Sequence, residues 1–389
     1  MKKPLILIII AISLFSCSQR STVSSFIDLN RSNSVSVFDI FESVDLVLLE
    51  TTDQSLIKNI RQVIYFNDRY YVLDSDQAIL FCFDSNGKYL FKVAQFGQGP
   101  EEYLRLEHFN IDPHNNQLLL LEPYGNLLAF DLDGQFLSKT RLPKEVPAYN
   151  DVYVTGENRL VFTSLSYNEL LFYDRNENSI YDRLFNEDGR KLRDGYFFII
   201  YRIYNHNSDL FFSPPLSNDI INLSDRTVFS WNFGKRTNTK KMIEEVKGFI
   251  SKSDQENFRP TPQHYYVYDW VGQNKLGNIP LFNFESSRYR FCALQTKQSF
   301  TKYIFCDKKT GQSFVFDKTK ENICFWYPQF SGESIIMHEK GERRTFDNPD
   351  VEKDFIYYNP NIFTKEQQQL YESRRDDDNP FLVKYNFKQ

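Results

Sequence analysis

A unit of roughly 40 to 50 residues returns along the chain, the period of repeats that stack around an axis. Tyr70-Tyr71-Val72-Leu73-Asp74, the apolar run 79–83 and Asp84-Ser85-Asn86-Gly87 form one copy. Leu118-Leu119-Leu120-Leu121-Glu122, the run 127–130 and Asp131-Leu132-Asp133-Gly134 form the next, with Asp131 placed 47 residues after Asp84. Further copies fall at 160–163 with 170–174, at 210–213 with 220–223, at 303–314, and more faintly at 323–327 with 334–337. Each reads as strand, short turn, strand, Asx turn, strand. In Asp-x-x-Gly the carboxylate accepts turn amides and glycine takes the positive φ that a side chain resists. One such unit buries too little surface alone, whereas radial stacking covers both of its faces. That explains strands apolar at nearly every position and predicts an all-β, six-bladed β-propeller.

Two segments depart from the repeat. Met242, Val246, Phe249 and Ile250 lie on one helical stripe between Gly234 and Pro260, which predicts a helical insertion over about 236–275, between blades four and five. Thr364 is placed to cap a short helix over 364–375, stopped by Asp376-Asp377-Asp378-Asn379-Pro380. A ring must close, and propellers complete one blade from both termini. The candidate closing strands are 381–387 and 44–49.

Leu49-Glu50-Thr51-Thr52 with Leu56-Ile57, Gly97-Gln98-Gly99-Pro100-Glu101-Glu102-Tyr103, Phe211-Phe212-Ser213-Pro214-Pro215-Leu216, Phe233-Gly234 and Asp378-Asn379-Pro380-Phe381-Leu382-Val383 occur in that order. Together they resemble the six-bladed β-propeller lipoproteins abundant in Bacteroidetes, from about residue 38 to the end. The missing glycine after Asp174 and the faint sixth copy depart from that pattern. The resemblance implies architecture and address, without an activity.

The N-terminus fits that address. Lys2 and Lys3 precede an apolar run from Leu5 to Ile12 and then Leu14-Phe15-Ser16-Cys17. The run is too short to span a bilayer, which takes about 20 apolar residues, and reads as a secretory signal. Leu14-Phe15-Ser16-Cys17 resembles the bacterial lipobox, so residues 1–16 are expected to be removed, Cys17 acylated, and 17–37 to serve as a tether. Ser18-Gln19 lacks the aspartate that retains lipoproteins in the inner membrane, and no acidic run follows. The expected address is the outer membrane, on its periplasmic face, with surface display open. Without residues 1–16 the chain has 44 basic against 51 acidic side chains. That balance argues against a nucleic-acid partner, which needs a clustered basic face.

No catalytic motif emerges. The histidines (His108, His114, His206, His264, His338) lack metalloprotease spacing. No Gly-x-Ser-x-Gly elbow, phosphate loop or Cys-x-x-Cys occurs, so no cofactor or metal is expected. Cys82, Cys292, Cys306 and Cys324 lie in apolar strand-like runs and read as buried small hydrophobes rather than a disulfide framework. Asp74 and Glu122 end equivalent strands of consecutive copies. They are either turn caps or candidate axial carboxylates at a channel mouth. Tyr266, Tyr268 and Trp270, in the aromatic stretch 264–270, are candidates for sugar stacking or a protein contact. The expected function is a non-catalytic, lipid-anchored propeller offering a binding surface to a glycan or an envelope protein. A polysaccharide hydrolase or lyase with axial carboxylates, and an envelope assembly scaffold, are the alternatives.

Overall fold

The computed structural model describes residues 21–164, 169–184, 203–214, 216–245, 277–296, 301–325, 328–339 and 358–389. Among these the strands form six sheets arranged as six blades. Blade one is Ile60–Phe66, Arg69–Asp74, Ile79–Asp84 and Tyr89–Val93, antiparallel throughout. Blades two and three repeat the pattern from His108–Asp112 to Phe136–Arg141 and from Asp151–Gly156 to Ser179–Leu184. Blade four begins with Ile203–His206 and ends on Val228–Ser230, and blade five runs from Ile279–Glu285 to Ser313–Phe316. The first strand of each blade lies nearest the axis, next to the first strand of its neighbour.

The four leucines of Gln117–Glu122 show why these strands are apolar at every position. Successive side chains of a strand point to opposite faces. Leu118 and Leu120 pack against Tyr71, Leu80 and Cys82 of blade one. Leu119 and Leu121 pack against Val152, Leu160 and Phe162 of blade three. All four are fully buried. A central strand between two neighbouring blades has no solvent face, so no alternation survives. The peripheral strand Phe136–Arg141 has one and is largely polar.

The Asx turns form as the sequence predicts. Asp84 accepts from the Asn86 and Lys88 amides, and Gly87 takes φ 84°. Asp131 accepts from the Asp133 and Gln135 amides, and Gly134 takes φ 83°. In blade three the glycine is absent because the turn is one residue longer and Asn178 takes the left-handed conformation at φ 47°.

The ring closes in blade six. Gln329–Ser331, Ser334–His338 and Leu382–Phe387 come from the C-terminal end, and Phe41–Val47 is the outermost strand. The two candidate closing segments therefore pair with each other, antiparallel from Phe41 opposite Phe387 to Val47 opposite Leu382. Asn379 reinforces the junction. Its side chain accepts from the Ile57 amide and donates to the Glu50 and Ser55 carbonyls. The faint sixth copy is faint for a physical reason: Ile323 and Phe325 are not in a strand. They are buried plugs, with Phe325 against Phe41, Phe305 and Tyr385.

A helix starts at residues 240–245, capped by Thr239, whose hydroxyl accepts from the Met242 amide. The rest of the insertion lies outside the described residues. The C-terminal helix is Lys365–Glu372, with a capping box between Thr364 and Gln367. Among the described residues no helix is long and apolar enough to cross a membrane.

Candidate functional site

The first strands enclose a cavity of about 810 Å³ along the axis. Repetition places it there: six strands around a ring cannot converge on a point, and their inward side chains decide what fills the centre. Here they leave space lined by Tyr65, Tyr153, Phe212 and Phe330 together with His108, Asp151, Ser164 and Glu169.

His108 is held by two neighbouring blades. The Gln62 amide pairs with the Phe109 backbone, Nε2 donating to the carbonyl at 3.0 Å and Oε1 accepting from the amide at 3.1 Å. That fixes the amide's orientation, and its second N–H faces His108 Nε2 at 3.2 Å. On the other side the Val152 amide faces Nδ1 at 3.3 Å. A doubly protonated ring would set N–H against N–H on both sides. Burial lowers the His108 pKa to about 4, opposed by Asp151 at 4.0 Å and assisted by Arg61. His108 is therefore neutral at physiological pH, with its ring beside Tyr153.

The charged groups of the wall are engaged. Asp151 accepts from the Thr163 hydroxyl at 2.6 Å. Glu169 accepts from Arg183 at 3.1 Å. Glu107 lies between Arg105 at 3.0 Å and Arg61 at 3.6 Å. Tyr204 keeps its proton, because burial pushes its pKa well up. Like the Tyr204 hydroxyl, the Ser164 hydroxyl, 1% exposed on the cavity wall, has no hydrogen-bond partner among the described residues. Buried polar groups are seldom left unbonded, so this oxygen is available to a ligand or water.

Asp74 and Glu122 do occupy equivalent places, and neither lines the cavity. Asp74 accepts from the Lys58, Asn59, Asp76 and Gln77 amides. Glu122 accepts from the Leu104 amide and from the Asn126 side chain. Each carboxylate secures the loop entering its own blade. Cys17, Tyr266, Tyr268 and Trp270 lie outside the described residues. Among the described residues no group of His, Cys, Asp and Glu could hold a metal ion. Cys82, Cys292, Cys306 and Cys324 are not joined in disulfides among the described residues, and all but Cys306 are buried.

A family model described as a domain of unknown function (DUF4934) matches residues 24–386. No curated protein matches the chain. A solved structure of a protein described as exported, from Bacteroides fragilis NCTC 9343, is similar at 18% identity and TM-score 0.67, covering 95% of this chain and 100% of that one. A member of the DUF4221 family from Bacteroides vulgatus is similar at 10% identity and TM-score 0.48, covering 89% of this chain and 98% of that one.

Proposed function

This chain belongs to the DUF4934 family, a domain of unknown function, and from that premise we propose that it is a non-catalytic binding propeller of the cell envelope. Acylated at Cys17 and held at the outer membrane, it takes an uncharged, hydroxyl-rich ligand, the end of a glycan, into its axial cavity. One observation carries the reading. The cavity combines aromatic faces with polar groups suited to hydroxyls: His108 is held neutral, Glu169 is paired with Arg183, and Asp151 accepts from the Thr163 hydroxyl. Sugars stack their apolar ring faces on aromatic side chains and satisfy hydroxyls on a few placed polar groups. The Ser164 hydroxyl, without a partner among the described residues, supplies one such group. The likeness to an exported Bacteroides protein supports the address.

Glycosidase chemistry asks for two carboxylates flanking the bond, one kept protonated. Glu107, Asp151 and Glu169 line the same cavity and are the carboxylates a hydrolase reading has to use, Glu107 being held between Arg105 and Arg61. The engagement of Asp151 with Thr163 and of Glu169 with Arg183 favours binding instead. A glycan array probed with residues 18–389, followed by calorimetric titration of the strongest hit, tests both. Binding without release of reducing ends is expected. Tyr153→Ala should weaken it about tenfold, the loss of one stacking face, while Asp74→Ala leaves it unchanged. Release of reducing ends that stops in Glu169→Gln would replace the binding reading with the enzymatic one. An empty array with a protein captured on the rim would replace it with the scaffold.

A further inference from the structure

The segment after the lipidation site does not dangle. Ser21–Val23 adds to the outer edge of blade four, parallel to Val228–Ser230. The Ser24 amide donates to the Ser230 carbonyl, the Ile27 amide to the Asn232 carbonyl, and the Asn232 amide to the Ser24 hydroxyl. Ile27 and Leu29 are buried, and the Phe26 ring lies against Gly234. The arm is thus part of blade four's rim. Three residues lie between Cys17 and Ser21, four chain steps that reach at most about 14 Å even when fully extended. An acylated Cys17 must therefore enter the bilayer close to this edge.

The edge itself has the character of a membrane contact. Val23 is 64% and Phe26 63% exposed, large apolar groups that no element among the described residues covers. Near them stand Lys235, Arg236, Lys240 and Lys241, with no acidic residue between Asp225 and Glu244 in the chain, while Asp219 lines the recess of Val23 and Lys240 and Glu245 lies 3.9 Å from Lys241. Arg236 is tied to the arm through Asn30, and Lys240 shares a recess with Val23. Apolar tips beside a local excess of cations suit a surface of anionic headgroups, on a processed chain with 44 basic against 51 acidic side chains.

We propose that the outer edge of blade four, through Val23, Phe26, Lys235, Arg236, Lys240 and Lys241, lies against the membrane. The propeller then stands on its rim, its axis roughly parallel to the bilayer, and both ends of the axial cavity open sideways rather than into the lipid. This orientation rests on acylation at Cys17 as proposed above.

The test uses the full, processed chain in vesicles of phosphatidylcholine and phosphatidylglycerol carrying headgroup spin labels. In a Cys306→Ser background, fluorophores are placed through Phe26→Cys, Lys241→Cys or Leu90→Cys, the last on blade one across the ring. Quenching at positions 26 and 241 should exceed that at 90 by about fivefold, and Lys240→Glu with Lys241→Glu should reduce it at 26. Equal quenching at all three sites, or more at 90, overturns the orientation. Mass spectrometry of the N-terminal peptide separates the two claims. An acylated Cys17 with equal quenching removes the orientation alone, and an unmodified Cys17 removes the anchor and the orientation with it.

Discussion

His108 carries the clearest consequence at the scale of one residue. In the unfolded chain an imidazole takes its proton near pH 6.5, and in this fold only near 4. Between those values the unfolded state binds more protons, so stability falls as pH drops through that window. The full difference corresponds to about 3 kcal/mol. Urea midpoints at pH 7 and pH 4.5 should show the native chain losing more stability than His108→Gln. An equal loss in both would mean that His108 is not held neutral. The thiols give a second residue-scale test. Burial raises the Cys82 pKa to about 12 and that of Cys292 well above its usual value, so neither forms the reactive thiolate. A thiol reagent should find at most the half-buried Cys306 in the folded protein and all four after denaturation. The reading of these cysteines as buried hydrophobes was available from the apolar runs around them. The cavity wall was not. Recognising His108 requires knowing that its strand is innermost, and nothing local to residues 108–112 says so. The repeat held a partial signal, since Gln62 and His108 lie 46 residues apart, one period, on the first strands of adjacent blades.

At the scale of elements, two Asx turns that end on glycine, Asp84 to Gly87 and the one-residue-longer Asp307 to Gly311, stand in different surroundings and should respond differently. Gly87 and Gly311 both take left-handed φ, at 84° and 70°. A Cβ on Gly87 would sit 2.0 Å from the Leu48 carbonyl oxygen, while one on Gly311 meets nothing within 4 Å. Gly311→Ala should therefore cost about 1 kcal/mol, the backbone penalty alone. Gly87→Ala should cost clearly more, because the turn must move away from the strand of blade six. Denaturant midpoints of the two variants compare them directly, and equal losses would contradict the close approach of blades six and one. These turns were legible because Asx and glycine act within four residues. The sixth copy was not, because Ile323 and Phe325 carry a strand's composition while serving as plugs under Phe41 and Tyr385. Burial alone does not distinguish those roles.

At the scale of the molecule, blade architecture, closure and cavity follow from one fact: each sheet needs a neighbour on both faces. Phe41–Val47 completes the blade begun by Gln329–Ser331 because a ring leaves one blade to be assembled from both ends. The period and the apolar runs carried this much in the sequence. Asp74 and Glu122 show where the period stops informing. They are equivalent, as their spacing indicates, yet each holds a loop amide rather than facing the axis. The axis is the proposed seat of the ligand. Hydrogen–deuterium exchange, with and without the strongest-binding glycan of the array, tests it most directly. Added protection is expected in the first strands Ile60–Phe66, His108–Asp112 and Asp151–Gly156, with the outer strands unchanged. Protection confined to peripheral strands such as Tyr89–Val93 and Phe136–Arg141, with none at the axis, would contradict it.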